Sequence, residues 1–220
     1  MEVLQPYLDS NIVDLTEWPY ETPCQLLAYQ HFINRANRHR AWIAFIDCDE
    51  FLFSPAHDNV NQILASQEPP VAFGANWMCF GSGGQEKYDD RPVIERFYLR
   101  QKDDMKINTH IKSIVRLDQF VQLWYDPHFF NVENGTYNEI GEAIYGPMTK
   151  YHTSKMLRIN HYKTKSKEEF MKRYALGKPD MVRPVDMETN MKYFDEVQGT
   201  EVEDRTIQRF LPMLKKKLSQ

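Results

Sequence analysis

Residues 41 to 46 read AWIAFI and run without a break into Asp47-Cys48-Asp49-Glu50. The apolar run is short and rich in aromatic and branched residues. It therefore reads as a strand covered on both faces, of the kind found in the middle of a mostly parallel α/β sheet. Three carboxylates at the end of such a strand constrain the chain more than any other feature. In extended backbone alternate side chains share a side, so Asp47 and Asp49 are expected to point the same way. Two like charges held together repel, and a divalent cation turns that repulsion into coordination. A hard ion such as Mg²⁺ or Mn²⁺ takes oxygen ligands and keeps positions for phosphate oxygens. The bland alternative is an acidic, solvated loop. Against it, apolar Phe51-Leu52-Phe53 follows at once, and a solvated loop is not normally clamped between two hydrophobic runs. No G-x-x-x-x-G-K-[ST] or G-x-G-x-x-G occurs, so a diphosphate would have to be held through metal.

The rest of the composition narrows the class. At 220 residues the chain is one ordinary domain. A net charge of −4 argues against a sequence-independent nucleic-acid binder. The proportions of apolar (42%) and charged (26%) residues are those of a globular protein rather than a disordered one. Cys24, Cys48 and Cys79 lie far apart without zinc-site spacing, and read as buried free thiols in a reducing compartment. No apolar stretch is long enough to span a bilayer and no leader is visible, so the expected location is cytoplasmic. Lys215-Lys216-Lys217 offers at most a weak contact with an anionic membrane surface.

Helical and extended pieces alternate along the chain, which is the pattern of an α/β fold. Val3–Leu8 reads as the end of a helix and Asn11–Leu15 as a short β-type run. Thr22-Pro23-Cys24-Gln25 starts a helix with a capping box; Leu26, Tyr29, Ile33 and Ala36 line one face, and it fades near His39. Asp58 is expected to cap a helix through Leu64. Val71, Phe73, Ala75, Trp77 and Cys79 alternate along a strand; Lys112–Leu117 and Met156–Ile159 read as two more. Val93–Arg100 stays open between helix and strand. Ser166-Lys167-Glu168-Glu169 is a second capping box, with its helix ending near Gly177. Ile207, Phe210, Leu211, Leu214 and Leu218 form one side of a C-terminal helix that Pro212 should break or kink. The expected organisation is a single domain over 1–200 and an amphipathic helical tail over 201–220.

RAWIAFIDCDEFLFSP resembles the signature block of glycosyltransferase family 92 and the similar family-2-like enzymes of the GT-A fold. QLLAYQHFINR, ANWMCFGSGG, RPVIERF, KSIVRLDQFV with HFF after it, and INHYKTKSKEEFMKR resemble further blocks in the same order, so the likeness runs from about Leu4 to Gly177. The resemblance implies a GT-A-like mixed, mostly parallel sheet flanked by helices. It implies a nucleotide-sugar donor, a carbohydrate or glycan acceptor, and a divalent metal, Mn²⁺ or Mg²⁺. Carried over, Asp49 ligates the metal, Asp47 contacts the donor ribose or shares the metal, and His161 reaches the metal or diphosphate. A neutral imidazole there suits Mn²⁺ better than Mg²⁺; a core histidine is the alternative.

Lys112 and Arg116 share a strand face and are candidates to neutralise the leaving diphosphate, against the reading of a solvated edge. Trp77, Gly81 and Ser82 lie where an acceptor sugar would stack and be gripped, although Trp77 also obeys the alternation of its strand as core. An inverting reaction needs a general base; Glu95 is the first candidate and Asp90 the second, with pairing of Glu95 to a cation the alternative. The family usually begins with a βαβ unit before an L-x-P-Y piece, and here Leu4-Gln5-Pro6-Tyr7 comes at the start. The expectation is that the first βαβ unit is lacking, and that a homo-oligomer or a partner chain covers the gap. A metal-dependent glycosyltransferase leads this reading. The alternatives are a truncated, non-catalytic interaction protein and a metal-dependent phosphohydrolase.

Overall fold

A computed structural model describes residues 3–18, 24–36, 42–65, 72–123, 126–176, 186–197 and 202–218. Thr22, Pro23, His39, Val71 and Gly177 lie outside them, and so do the readings that rest on those positions. In chain order the helices are α1 (Gln5–Asp9), α2 (Gln25–Arg35), α3 (Asn61–Leu64), α4 (Val93–Arg96), α5 (Lys167–Ala175), α6 (Met187–Val197) and α7 (Leu211–Leu218), with 3₁₀ turns at Lys106–Thr109 and Thr206–Phe210. The strands are β1 (Trp42–Ala44), β2 (Glu50–Phe53), β3 (Ala72–Cys79), β4 (Leu99–Arg100), β5 (Ile111–Arg116), β6 (Phe120–Leu123), β7 (Phe130–Val132), β8 (Thr136–Tyr137), β9 (Ala143–Ile144), β10 (Arg158–His161) and β11 (Val202–Glu203).

The class is as expected: a mixed sheet with helices packed on it. Its main path is β1-β5-β3-β10-β2, with β8 and β9 attached beside β3. The strand directions differ from the expectation of a mostly parallel sheet. Among the described strands only β3–β10 and β3–β8 are parallel; β1–β5, β5–β3, β10–β2 and β8–β9 are antiparallel. An apolar run reports that both faces of a strand are covered, and carries no information on its neighbours' direction.

β1 is likewise covered on both faces without being central. Its residues are half-buried and it lies at one end of the strand order, not in the middle. Its two faces are covered, Ile43 by the cluster around Ile33, Phe45 and Phe130, and Trp42 and Ala44 by the cluster around Phe73 and Ile114. β3 holds the centre instead, and every residue in it is buried. Phe73, Ala75, Trp77 and Cys79 pack on one side with Ile114 and Ile159; Met78 packs on the other with Phe53, Phe97 and Tyr162. Gly74 leaves room there for two isoleucine side chains: a Cβ would stand 2.5 Å from Ile144 Cδ1 and 2.8 Å from Ile111 Cδ1, so both methyl ends would have to shift.

Local expectations fare unevenly. Val3–Leu8 overlaps α1, but Asn11–Leu15 forms no strand and Asn11 has a positive φ of 54°. Asp58 does not cap α3; Asn59 Oδ1 accepts from the Asn61 N–H instead. Val93–Arg100 is both things in turn, α4 and then β4. The Ser166 capping box of α5 is complete, with the Ser166 Oγ accepting from the Glu169 N–H and the Glu169 carboxylate accepting from the Ser166 N–H. Only Cys79 of the three cysteines is buried, while Cys48 is exposed in a turn. Among the described residues no helix is long and apolar enough to cross a membrane.

Pro212 sits at the start of α7, where its missing N–H costs nothing, and so separates the 3₁₀ turn from the helix. The 202–218 segment is packed on the sheet. β11 pairs with β4, and Ile207, Phe210, Leu211 and Leu214 join Phe53 and Phe80. Asp204 accepts at 2.9 Å from both Arg100 Nε and Arg158 Nη1, with 7% of its side chain exposed. Burial by itself raises the Asp204 pKa, but Arg158 and bonds from Thr206 outweigh it and hold it at about 2. The unfolded chain therefore binds a proton first. The stability this carboxylate adds is complete above the ordinary value of 3.8 and is lost as the pH falls toward 2. Asp204→Ala is expected to cost about 3 kcal/mol at neutral pH by leaving buried arginine charge unpaired. The check is the urea midpoint at pH 7 and at pH 3, where the difference from the parent protein should shrink.

Candidate functional site

β1 and β2 sit at opposite ends of the strand order, so the connection from Phe45 to Asp49 must cross the end of the sheet. This crossing gives the two aspartates different neighbours. Asp47 meets β5, next to β1: its Oδ2 is 3.2 Å from Lys112 Nζ, and its Oδ1 accepts from Gln25 Nε2 of α2 at 3.0 Å. Asp49 meets β10, next to β2. There the antiparallel register sets His161 opposite Glu50, and Tyr162 N–H donates to the Asp49 carbonyl at 2.8 Å. The Asp49 Oδ1 lies 3.6 Å from His161 Nε2, and its Oδ2 lies 2.8 Å from Arg173. The expectation that both carboxylates point one way fails because residues 48 and 49 form a turn, not extended strand.

Glu50 closes that turn. Its Oε2 accepts from the Asp47 N–H at 2.9 Å, while its own N–H donates to the Asp47 carbonyl at 3.0 Å. Lys112 Nζ is 3.6 Å from the same Oε2, and both side chains are fully buried. Burial pushes the Glu50 carboxyl up to about 7, with Lys112 pulling it back only in part. Burial also favours a neutral carboxyl at Asp49, but His161, Arg173 and Lys165 overcome it and hold that group well below the usual carboxylate range. His161 is driven down by burial more than Asp49 pulls it up, so its imidazole is neutral near pH 7.

Asp47, Asp49, His161, Lys165 and Arg173 line a cleft of about 950 Å³ at the end of β10. Of the residues expected at the site, Asp47, Asp49, Trp77 and His161 line it. Six do not. Lys112 is sealed beneath Asp47 and Glu50, and Arg116 pairs with its neighbour Asp118. A sealed lysine on a strand cannot reach a leaving diphosphate, so its charge serves the turn. Glu95 pairs with Lys215 of α7 at 2.6 Å, and Asp90 is exposed beside Tyr88. Gly81 and Ser82 are buried: the Gly81 N–H donates to the Leu99 carbonyl, and Ser82 Oγ accepts from Gly84 N–H. Both are engaged in hydrogen bonds of the loop and stand outside the cleft. Trp77 is walled by imidazoles, with His110 stacked at 5.0 Å, His128 edge-on at 4.9 Å and His161 tilted at 4.2 Å. Its faces are thus largely taken, which leaves it as a wall of the cleft.

The residues missed in the sequence are mostly cations. Lys163, Lys165, Lys172 and Arg173 line the same cleft as the aspartates, with Arg173 paired to Asp49 and Lys172 to Glu168. Lys165 has a positive φ of 49°, a strained conformation for a residue with a side chain. The signal was present in K-T-K-S-K and in the Lys172-Arg173 pair of the last α5 turn, both inside the block that carries His161. His128, Tyr29 and Gln25 complete the wall on the β5 side.

A sequence model described as glycosyltransferase family 92 matches residues 1–213. A protein of rice, Oryza sativa subsp. japonica, named as a glycosyltransferase family 92 protein, is 27% identical over 175 residues. That match covers 76% of this chain and 27% of the rice protein, so the chain spans about a quarter of the length of that relative. The family match runs over the cleft, both aspartates, His161 and the cationic wall, and the chain belongs to glycosyltransferase family 92.

Proposed function

We propose that the chain transfers a glycosyl group from a nucleotide-diphosphate sugar to a carbohydrate acceptor, with a divalent ion, Mn²⁺ or Mg²⁺, at Asp49 and His161. One observation carries this reading. A single cleft gathers Asp49 and His161 with the cations Lys163, Lys165, Lys172 and Arg173, and Arg173 lies 2.8 Å from Asp49 Oδ2. A diphosphate bridging a cation and a basic wall needs both.

The residues fit such an ion. Asp49 Oδ1 is buried without a hydrogen-bond partner, faces His161 Nε2 at 3.6 Å, and belongs to an ionised carboxylate. Among the described residues no group of three or more His, Cys, Asp or Glu side chains is assembled for a metal. An ion held by two protein ligands keeps its other positions for substrate phosphate and water. Asp47 has both oxygens engaged by Lys112 and Gln25, so it orients the turn beside the donor. When bound, the metal supplies charge stabilisation to the departing diphosphate. Arg173 and the three lysines of the cleft add to that stabilisation, so the leaving group needs no proton.

The experiment is calorimetric titration with Mn²⁺, with uridine diphosphate, and with each in the presence of the other. Each is expected to tighten the other by about tenfold or more, a coupling of roughly 1.4 kcal/mol. A screen of uridine-diphosphate sugars against monosaccharide acceptors, read by mass, then identifies the product. Independent binding of the two ligands, with no transfer in the screen, would overturn the reading.

A further inference from the structure

Five carboxylate and imidazole groups line the cleft: those of Asp47, Asp49 and Glu169, and those of His128 and His161. Four of these are committed elsewhere. Asp47 is held by Lys112 and Gln25, Asp49 is paired with Arg173, and Asp49 and His161 are the residues assigned above to the metal ion. Glu169 is held by Arg96 and by Ser166. Glu95 and Asp90, the bases expected from the sequence, lie outside the cleft.

His128 is different. Its backbone is clamped twice to β5, since the Ser113 N–H and Oγ both donate to its carbonyl at 3.0 Å. Its own N–H donates to Asp126 Oδ1 at 2.8 Å. Its ring is fixed as well, edge-on to Trp77 and with Nδ1 2.9 Å from the Ile111 carbonyl. A carbonyl can only accept, so Nδ1 carries the hydrogen and Nε2 is the bare nitrogen. No described residue hydrogen-bonds that Nε2. The chain has thus fixed one tautomer, in one orientation, on the wall of the cleft.

We propose that His128 is the general base of the transfer, taking the proton of the acceptor hydroxyl on Nε2. This rests on the glycosyl-transfer reading above and requires inversion at the anomeric carbon. The acceptor O–H proton passes to Nε2 as the acceptor oxygen bonds to the anomeric carbon. The bond from that carbon to the diphosphate oxygen breaks, and its electron pair leaves on the diphosphate. Charge balances, with imidazolium formed as the diphosphate departs. Burial, and after it the Lys112 charge, bring the His128 pKa down to about 4, with Asp126 opposing and His110 adding to the fall. That is the strength of an ordinary carboxylate base, and it keeps the ring unprotonated at neutral pH.

The test compares wild type with His128→Asn and His128→Ala. Asn keeps a donor for the Ile111 carbonyl but has nothing in place of Nε2, so folding and the ring's anchor are preserved. Transfer by His128→Asn is expected to fall about 10²- to 10⁴-fold, with uridine diphosphate–Mn²⁺ binding unchanged within about twofold. Added imidazole should restore part of the rate of His128→Ala, and the wild-type product should show an inverted anomeric centre by nuclear magnetic resonance. Wild-type rates in His128→Asn, a retained anomeric centre, or no rescue by imidazole would each overturn the assignment, even if donor and metal still bind cooperatively. Loss of uridine diphosphate binding in His128→Asn would assign the residue to donor binding and overturn it too. No transfer and no cooperative binding by the wild type would overturn the glycosyl-transfer reading itself.

Discussion

Asp49→Asn is expected to remove the mutual tightening of Mn²⁺ and uridine diphosphate and to lower sugar transfer by about 10³-fold or more. The amide occupies the same space but brings no negative charge to the position beside His161. The buried Oδ1 has no hydrogen-bond partner and stands 3.6 Å from His161 Nε2. The fold should be little affected. The Arg173 partner is 47% exposed on its side chain, so the lost ion pair is worth under about 1 kcal/mol. Calorimetry and a urea curve on the same preparation separate the two effects. Asp49→Asn binding the two ligands as cooperatively as the parent would sink the metal reading. Asp47→Asn should behave in the opposite sense, with a stability loss and some donor cooperativity retained, because its partners are Lys112 and Gln25.

The second large effect is on stability. Lys112→Met is expected to destabilise the fold by about 1–2 kcal/mol at pH 8, since stripping the counter-charge drives the Glu50 carboxyl, already at about 7, to take up a proton. Glu50 is fully buried, its Oε1 has no hydrogen-bond partner, and Lys112 is the cation beside it. A partner mutation distinguishes this from lost packing. If charge is the cause, Lys112→Met combined with Glu50→Gln should recover more than half of the loss, because no buried charge then remains. If the double variant is no better than the single one, the lysine acts through its hydrocarbon stem alone. The measurement is a double-mutant cycle in urea at pH 8, where Glu50 is predominantly ionised in the parent.

Taken together, the two variants divide the D-C-D-E block by physical role. Asp49 faces the cleft and its chemistry, while Asp47 and Glu50 fasten the turn to Lys112. From composition alone all three carboxylates looked equivalent. A sequence of acidic residues states how much charge must be compensated, and the compensating partner comes from whichever strand the turn passes over. Here that partner is 65 residues away for Asp47. The same distance effect misplaced the base. Glu95 and Asp90 lie in a segment that resembles a family block, yet α4 packs toward α7 and Glu95 is taken by Lys215. Lys163, Lys165 and Arg173 were overlooked for a local reason: lysines after a strand and in a last helical turn usually face solvent, and here α5 folds back over the cleft.

By itself the sequence determined the α/β class, the family, the β3 alternation, the capping box at Ser166 and the pairing of an acidic block with a histidine block. Each of these is set by residue periodicity, by hydrogen bonds within a few positions, or by a contiguous motif. Only the tertiary structure decided that β1 lies at an edge, that the sheet is mainly antiparallel, that Lys112 is sealed, and that His128 stands on the cleft wall with Nε2 bare. Those outcomes depend on which strands become neighbours. Strand pairing is fixed by the burial of all faces at once, a sum over the whole chain that no short window of residues contains.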